Sequence, residues 1–310
     1  MTSSASPSLR AVADLHVGHR GNTGTLDAVV PEHPGDWLIV AGDIGERLSD
    51  VHQTLKTLTD RFERVLYTPG NHELWGSKSD PETTGPERYA RLIEICRELG
   101  VDSPEDPYPL WTGPGGPAWV VPMFLLYDYS WTMRPAQSPA EAVREARSRR
   151  VVASDEFLID PSPFSDLAAW CRDRLVQTTR RLAALAPAHP TVLVNHWPLV
   201  RDPTRVLAAP EFALWCGTEQ TAQWHRRYRA LVCVYGHLHI PRSHVHDGVR
   251  FEDCSLGYPR EWSRRGRAEP LARQILPAPP TPAVRWLKES GGGLHIAAPG
   301  EQGEEVTSIP

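Results

Sequence analysis

Five short segments of the chain combine histidine with aspartate or asparagine in a way that could bind metal ions. They are Asp14-Leu15-His16, Gly42-Asp43, Gly70-Asn71-His72-Glu73, Asn195-His196 and Gly236-His237-Leu238-His239. Imidazole, carboxylate and amide groups suit Mn²⁺, Fe or Zn²⁺, whereas Mg²⁺ prefers oxygen ligands and keeps its waters. Each segment alone is a weak signal, because a lone Asp-x-His or Gly-Asp pair is usually a turn. The prediction of a metal site therefore depends on whether the fold brings the segments together.

The strands and helices predicted around the five segments indicate that the fold brings the segments together. Each segment directly follows a short apolar run with strand character, and the five predicted strands cover residues 9–13, 37–41, 65–67, 191–194 and 231–235. Apolar stripes with helical spacing lie between the strands. The stripes are Val51, Leu55, Leu58 and Phe62; Tyr89, Leu92, Cys96 and Leu99; and Leu167, Trp170, Cys171, Leu175, Leu182 and Leu185. This alternation predicts an α/β protein with its ligands beyond the carboxyl ends of the strands.

The composition narrows the class of protein. The chain has 310 residues, a formal net charge of −5, 13 histidines and five cysteines. The negative charge gives no general attraction to nucleic acid or to an anionic membrane. The cysteines form no Cys-x-x-Cys pair, and we find neither a secretory signal nor an apolar run long enough to span a bilayer. We therefore expect a cytoplasmic protein without a membrane partner, for which binding to nucleic acid is not expected.

The changes in composition along the chain predict one domain followed by a tail. Residues 1–275 are expected to form the domain, with an insertion at about 76–190. The middle of the insertion, residues 119–131 followed by a charged helix at 140–150, is expected to form a cap over the site. Residues 243–256 predict a β-hairpin with its turn at Asp247-Gly248. Residues 276–310 are rich in proline and glycine and are expected to form a C-terminal tail.

In this order and at these strand ends, the five segments resemble the DxH, GD, GNH(D/E), H and GHxH motifs of the calcineurin-like metallophosphoesterases. The resemblance implies a four-layer α/β/β/α metallophosphoesterase sandwich of mixed sheets. It also implies two divalent metal ions, Mn, Fe or Zn, with Mn or Fe favoured. The implied ligands of one ion are Asp14, His16, Asp43 and His239. Those of the other ion are Asp43, Asn71, His196 and His237, so that Asp43 bridges the two.

The activity implied by this resemblance is hydrolysis of a phosphate ester by metal-bound hydroxide. A bridging carboxylate holds two cations about 3.5 to 4 Å apart, which suits the attacking and leaving oxygens of a phosphoryl group. The resemblance makes His72 the catalytic acid–base residue, and imidazole is well suited to protonate the leaving oxygen. The segment GDIGERL lacks the GDxVDRG pattern of protein Ser/Thr phosphatases, so a phosphoprotein substrate is not expected.

Longer segments are similar to the bacterial branch that includes the phosphopantetheinyl hydrolases. These segments are DLHVGHRGN, DWLIVAGDIGE, PGNHELW, VPMFLLYDYS, LVNHWPL, EFALWCGT, YGHLHIPR and DGVRFEDCSLGYPREW. Enzymes of this branch cleave the phosphodiester of 4′-phosphopantetheine on a carrier protein, which implies conversion of a holo acyl carrier protein to its apo form.

Some candidate substrate contacts lie close to the five segments, and others end the apolar run of the expected cap. The former are Arg20, Trp75 and Trp197, and the latter are Tyr127 and Asp128. Two alternatives to the carrier-protein substrate remain open. One is a phosphomonoesterase of a small phosphorylated metabolite, and the other is a catalytically idle metal-binding or partner-binding module.

Overall fold

Two β-sheets face each other at the centre of the protein. The computed structural model describes residues 6–22, 24–76, 84–185, 187–266 and 270–279, together with the strands β11 (Trp286–Lys288) and β12 (Leu294–Ile296). The first sheet contains β1 (Leu9–Val12), β2 (Trp37–Val40), β3 (Arg64–Tyr67) and β10 (Arg273–Leu276). The second contains β4 (Leu110–Trp111), β5 (Ala118–Pro122), β6 (Thr191–Val194), β7 (Ala230–Tyr235), β8 (Arg242–His246) and β9 (Val249–Asp253).

Both sheets are mixed. The first has the strand order β10-β1-β2-β3, in which β1, β2 and β3 are parallel and β10 is antiparallel to β1. The second has the order β4-β5-β6-β7-β9-β8, with four parallel central strands and an antiparallel strand at each edge. The five predicted strands are β1, β2, β3, β6 and β7, so those predictions are confirmed. The predicted hairpin is the β8–β9 pair, and it is also confirmed.

Alternation along the strands builds the core between the sheets. Alternate residues of β1 and β2 point into this layer, where they meet valines of the second sheet. The buried cluster includes Leu9, Ala11, Ile39 and Leu66 from the first sheet and Val120, Val192, Val194, Val232 and Val234 from the second. The intervening residues Val12, Leu38 and Val40 belong instead to a larger cluster that contains the buried helix residues. Each sheet therefore buries both of its faces, as expected for inner layers of a sandwich.

Helices cover the outer faces of the sheets. They are α1 (Leu48–Thr59), α2 (Gly85–Leu99), α3 (Pro139–Ser148), α4 (Asp155–Leu158), α5 (Leu167–Ala183), α6 (Trp224–Arg227) and α7 (Pro259–Arg265). α1 packs against β3 and α2, and α6 packs against β7. The three predicted apolar stripes fall on α1, α2 and α5. The predicted α/β sandwich with mixed sheets is confirmed.

Part of the stretch 76–190 belongs to the second sheet. Its strand β5 pairs in parallel with β6 inside the second sheet. The expectation that residues 119–131 form a cap is therefore wrong for the first part of this segment, because strand pairing draws it into the core. The helix expected at 140–150 is present as α3.

The domain boundaries remain a prediction. Most of the predicted tail lies outside the described residues, although β11 and β12 pair antiparallel within it. Among the helices in the described part of the chain, none has both the length and the apolar character needed to cross a membrane.

Candidate metal centre

The carboxyl ends of five parallel strands meet at one edge of the sandwich. Asp14, Asp43 and Asn71 follow β1, β2 and β3 of the first sheet, whereas His196 and His237 follow β6 and β7 of the second. Hydrogen bonds join the two sets, because the backbone N–H of His237 donates to both carboxylate oxygens of Asp14 at 3.1 Å. The five sequence segments therefore converge as predicted, and each sheet supplies part of the site.

The backbone at this edge adopts left-handed conformations at five residues with side chains. Asp14, His16, Asp43, His237 and His239 all have positive φ values, between 42° and 67°. Residues with a side chain rarely adopt this left-handed region, and such conformations concentrate at functional sites. We infer that these turns are shaped to aim their side chains at a common point.

Two glycines allow the carboxylates to pack tightly. A Cβ atom on Gly70 would lie 2.2 Å from Oδ1 of Asp43, and one on Gly236 would lie 2.2 Å from Oδ2 of Asp14. Any larger residue would displace the carboxylate. The glycines of the GNH and GHLH segments thus provide space for the aspartates of other segments.

The first group of candidate ligands consists of Asp14, His16, Asp43 and His239. One ligand atom from each lies within 4.8 Å of the others. Nε2 of His239 is 3.0 Å from Oδ1 of Asp14 and 3.1 Å from Nε2 of His16. Burial lowers the pKa of His16 to about 3, so this imidazole is neutral and one of its nitrogens carries a lone pair. Burial opposes ionisation of His239, but Asp14 and Glu261 raise its pKa to about 10.

The second group of candidate ligands surrounds the side-chain oxygen of Asn71. Nε2 of His196 and Nδ1 of His237 each lie 3.1 Å from this oxygen. Oδ2 of Asp43 is 3.4 Å from Nε2 of His196 and 4.0 Å from Nε2 of His16. Asp43 thus stands between the two groups, as a bridging carboxylate must.

The outward atoms of several candidate ligands are anchored. Nδ1 of His196 donates a hydrogen bond to the carbonyl of Ala41 at 2.9 Å. Its Nε2, which faces Asp43, is therefore the nitrogen that can bind a metal ion. Nδ1 of His239 lies 2.8 Å from Oε2 of Glu261, and Nδ2 of Asn71 donates to Asp155 at 3.0 Å. Histidines that bind metals usually donate their second N–H to a carboxylate or a carbonyl in this way. The donor set and its anchors fit two divalent cations.

Glu73 connects two of the loops. Its carboxylate accepts hydrogen bonds from the backbone N–H groups of Asp43 at 3.0 Å, Ile44 at 2.5 Å and Gly70 at 2.8 Å. Burial and the nearby Asp43 carboxylate raise the pKa of Glu73 to about 7. Glu73 therefore links the backbone of the second segment to that of the third and fixes their relative position.

His72 lies beside the ligands rather than among them. Its Nε2 is 3.1 Å from the hydroxyl of Tyr258 and 3.8 Å from Oδ2 of Asp43, while its Nδ1 is 3.5 Å from Oε1 of Glu46. Burial disfavours the charged imidazole, but Asp43 and Glu46 outweigh it and raise the pKa of His72. The ring of Trp75 packs on it with a centroid distance of 3.7 Å. This arrangement suits a proton donor.

The predicted substrate contacts occupy different environments. Arg20 is exposed and Trp75 is partly exposed. Tyr127 and Trp197 are fully buried and pack on each other with ring centroids 6.2 Å apart. Asp128 accepts hydrogen bonds from the Thr218 hydroxyl at 2.8 Å and from the backbone N–H of Ser130 at 3.1 Å. The contacts of Tyr127, Asp128 and Trp197 are thus with other residues of the protein, and those of Tyr127 with Asp155 and of Trp197 with His237 connect these two side chains to the site.

Sequence reasoning missed five residues that shape the site. They are Glu46, Glu73, Asp155, Tyr258 and Glu261. Glu46 and Glu73 lie inside the GDIGE and GNHE segments, so their positions offered a signal. Tyr258 and Glu261 lie in the GYPREW segment, just after the predicted hairpin, but in none of the five segments. Asp155 is buried and accepts hydrogen bonds from Asn71, Trp75 and Tyr127, yet nothing in the sequence around it marks it.

A groove opens beside the first ligand group. It has a volume of about 190 Å³, and its lining includes His16, His19, Glu46, Arg47 and Tyr258. The groove gives solvent and a ligand access to the edge of the site where His16 and Tyr258 lie.

Comparison with known proteins agrees with this geometry. The family model described as calcineurin-like phosphoesterase matches residues 9–241. The chain is 51% identical over 296 residues to the acyl-carrier-protein phosphodiesterase PptH of Mycobacterium tuberculosis, covering 95% of this chain and 91% of that protein. The crystal structure of phosphopantetheinyl hydrolase (PptH) from M. tuberculosis superposes with a TM-score of 0.86 at 52% identity, covering 89% of this chain and 98% of that one.

These matches decide between the classes of function left open above. The family consists of metal-dependent phosphoesterases, and the structure retains a four-residue candidate metal site. The alternative of a catalytically idle binding module is therefore not supported, and the protein is a metal-dependent hydrolase of phosphate esters. The chain belongs to the calcineurin-like phosphoesterase family.

Proposed function

We propose that this enzyme hydrolyses the phosphodiester that joins 4′-phosphopantetheine to a serine of an acyl carrier protein, which releases the apo carrier. The observation that carries the proposal is the 51% identity, over 95% of the chain, to a protein named for this substrate. The full set of donor groups at the strand ends supports it, because the reaction needs both metal ions.

The proposed metal ligands fall into two sets that share Asp43. The first set is Asp14, His16, Asp43 and His239, and the second is Asp43, Asn71, His196 and His237. Several nitrogen donors favour Mn or Fe, and also accommodate Zn, over Mg. When bound, the cations supply Lewis-acid activation of the phosphoryl group and of the attacking water.

His72 supplies the proton that the leaving group needs. A serine alkoxide is a poor leaving group, so the P–O bond to serine breaks most readily when that oxygen is protonated as it departs. Glu46 and Asp43 favour the protonated imidazole, and Nε2 lies on the side of the candidate ligands. The oxygen of water bonds to phosphorus while the water gives up one proton, the P–O bond to serine breaks, and Nε2 of His72 donates its proton to the serine oxygen. The proton given up by the water reaches solvent, and His72 regains one from solvent before the next turnover.

The surface beside the site suits an acidic protein partner. Arg260 and Arg264 are exposed on α7, the helix that supplies Glu261 to the site. Two arginines at the end of α3 have closer partners within the chain, since Arg147 contacts Glu156 at 3.0 Å and Arg149, just after α3, contacts Glu211 at 2.5 Å. On α7, Arg260 is 3.9 Å from Oε1 of Glu261. α7 is therefore the better candidate for contact with a carrier protein.

The proposed location of the reaction is the cytoplasm. All five cysteines are buried and free, although the chain contains enough of them for two disulfides. Free thiols are the normal state of cysteine in a reducing compartment.

The test is incubation of the enzyme and Mn²⁺ with a holo acyl carrier protein, followed by measurement of the intact mass of the carrier. We expect the carrier to lose the mass of phosphopantetheine. The control is the Asp43→Asn variant, which should leave the holo mass unchanged. If the wild-type enzyme cleaves p-nitrophenyl phosphate but leaves the holo carrier intact, the phosphomonoesterase alternative replaces this proposal.

A further inference from the structure

Tyr258 contacts three histidines of the site from outside the five segments. Its ring stacks on His16 with a centroid distance of 4.5 Å and an angle of 20° between the ring planes. It also meets the edge of the His239 ring at 5.0 Å. Its hydroxyl lies 3.1 Å from Nε2 of His72. Tyr258 thus spans the distance between the first ligand group and the proposed proton donor.

The main chain around Tyr258 is tied to the site. The backbone N–H of Tyr258 donates at 2.8 Å to Oε2 of Glu261, the oxygen that also contacts His239. The preceding N–H, of Gly257, donates to the carbonyl of Asp14 at 3.0 Å. Gly257 has a φ of 78°, and a Cβ atom there would lie 2.7 Å from Oε2 of Glu261. The tyrosine is therefore held in place by the same groups that hold the candidate ligands.

The hydroxyl of Tyr258 is the hydrogen-bond partner that orients His72. Within the described residues, Nδ1 of His72 has no hydrogen-bond partner, and its contact with Glu46 is an ion-pair contact at 3.5 Å. Trp75 packs on the ring but cannot select which nitrogen of the imidazole faces the candidate ligands. The hydrogen bond to Nε2 is directional, so it can select that nitrogen.

We propose that Tyr258 is a positioning residue for proton transfer by His72. This inference rests on the proposed function of His72 as the acid. The phenol oxygen accepts a hydrogen bond from the protonated Nε2 and so keeps that N–H on the side of the candidate ligands, where the leaving oxygen can share it and then take the proton. After Nε2 has given its proton to the leaving oxygen, the phenol O–H rotates and donates to the bare nitrogen. Tyr258 itself neither gains nor loses a proton in the cycle.

The test compares the Tyr258→Phe variant with the wild type on leaving groups of different basicity. Phenylalanine keeps the ring on His16 and removes only the hydroxyl. For diphenyl phosphate, whose leaving group needs protonation more, we expect kcat to fall about tenfold while KM changes less than about twofold. For bis(p-nitrophenyl) phosphate we expect kcat to stay within about twofold of wild type, because nitrophenolate leaves readily without a proton.

Two controls separate positioning from structure. Tyr228→Phe removes a buried hydroxyl that has no hydrogen-bond partner among the described residues and lies outside the five segments, so both substrates should be cleaved at wild-type rates. In a His72→Asn background, Tyr258→Phe should cause no further loss, because the two residues act in one step. Metal content and melting temperature of each variant report on folding.

Three outcomes would overturn the inference. They are an unchanged kcat of Tyr258→Phe on diphenyl phosphate, equal losses on both substrates, and a further loss in the His72→Asn background. Failure of the holo-carrier experiment would reject only the carrier-protein substrate, because the comparison on aryl diesters does not use a carrier protein.

Discussion

Two clusters of histidine and carboxylate groups lie at opposite ends of the second sheet. One is the candidate metal centre at the carboxyl ends of β6 and β7. The other consists of His225, His246 and Asp247, at the turn that precedes β9. In each cluster the potential ligand atoms lie within 4.8 Å of one another. Proximity of ligand atoms alone therefore does not distinguish them.

The surroundings of the two clusters differ. In the second, Nδ1 of the buried His225 has no hydrogen-bond partner among the described residues. Oδ2 of Asp247 is 3.3 Å from Nε2 of His225, and the guanidinium of Arg226 already approaches the same oxygen at 3.9 Å. In the candidate metal centre, by contrast, carbonyl and carboxylate groups hold the outer nitrogens of His196 and His239. Anchored ligands mark a site built for metal, whereas an arginine already lies beside the carboxylate of the second cluster. We therefore expect only the first cluster to retain metal.

The largest effect is expected for Asp43→Asn. Asp43 lies between the two ligand groups, so the loss of its charge weakens both metal sites together. We expect hydrolysis of bis(p-nitrophenyl) phosphate to fall by about 10³-fold or more, and the metal content to drop, while the fold is kept. Activity assays with metal analysis and circular dichroism check this. A variant with full activity would reject the assignment of the metal centre.

A smaller loss is expected for Gly236→Ala. The new Cβ would lie 2.2 Å from Oδ2 of Asp14, so that carboxylate must move. We expect activity to fall by about 10²-fold, the size of effect that misplacement by about 1 Å produces. Gly248→Ala is the matched change in the turn of the other cluster, where a Cβ meets nothing within 4 Å. That variant should lose about 1 kcal/mol of stability, because its φ of 78° is strained for alanine, and should keep full activity. Equal activities of the two variants would contradict the prediction.

Glu261→Gln tests the anchor of His239. The change removes the negative charge 2.8 Å from Nδ1 of His239 and leaves the size of the side chain unchanged. We expect the affinity for one metal ion to fall by about 10- to 100-fold and excess metal to restore activity. Titration of the metal-free enzyme with Mn²⁺, followed by activity, measures this. Glu219→Gln, at an exposed carboxylate on another loop, is the control. An unchanged Mn²⁺ requirement in Glu261→Gln would show that the anchor has no effect.

The smallest effect is expected for His246→Ala in the second cluster. The side chain is partly exposed and packs on Phe251 with ring centroids 6.0 Å apart, so its loss removes limited contact area. We expect activity and the number of metal ions per chain to stay at wild-type values. A lower metal content after dialysis would mean that the second cluster also binds metal.

The candidate ligands could be predicted because each lies in a short segment at the end of a strand. Strand periodicity placed the segments at one edge, and the residue types then defined the chemistry. Asp155 and Glu261 could not be found in this way, because α4 and α7 reach the site through tertiary packing that local patterns do not encode. The error on residues 119–131 has a related cause. An apolar run has the same sequence pattern in a cap and in a buried strand. Only the pairing of β5 with β6, which the sequence pattern does not show, distinguishes the two.

The candidate centre takes its ligands from both sheets, and His16 and His239 are 223 positions apart in the chain. Cations held there would join the two layers at an edge where backbone hydrogen bonds already link them, such as the one from the N–H of Ala13 to the carbonyl of Cys254 at 3.0 Å. Because such ions bind the folded chain and not the unfolded one, a concentration 100-fold above Kd adds about 2.7 kcal/mol to the free energy of unfolding. We therefore expect metal binding at this centre to raise the thermal stability of the enzyme as well as to support its activity.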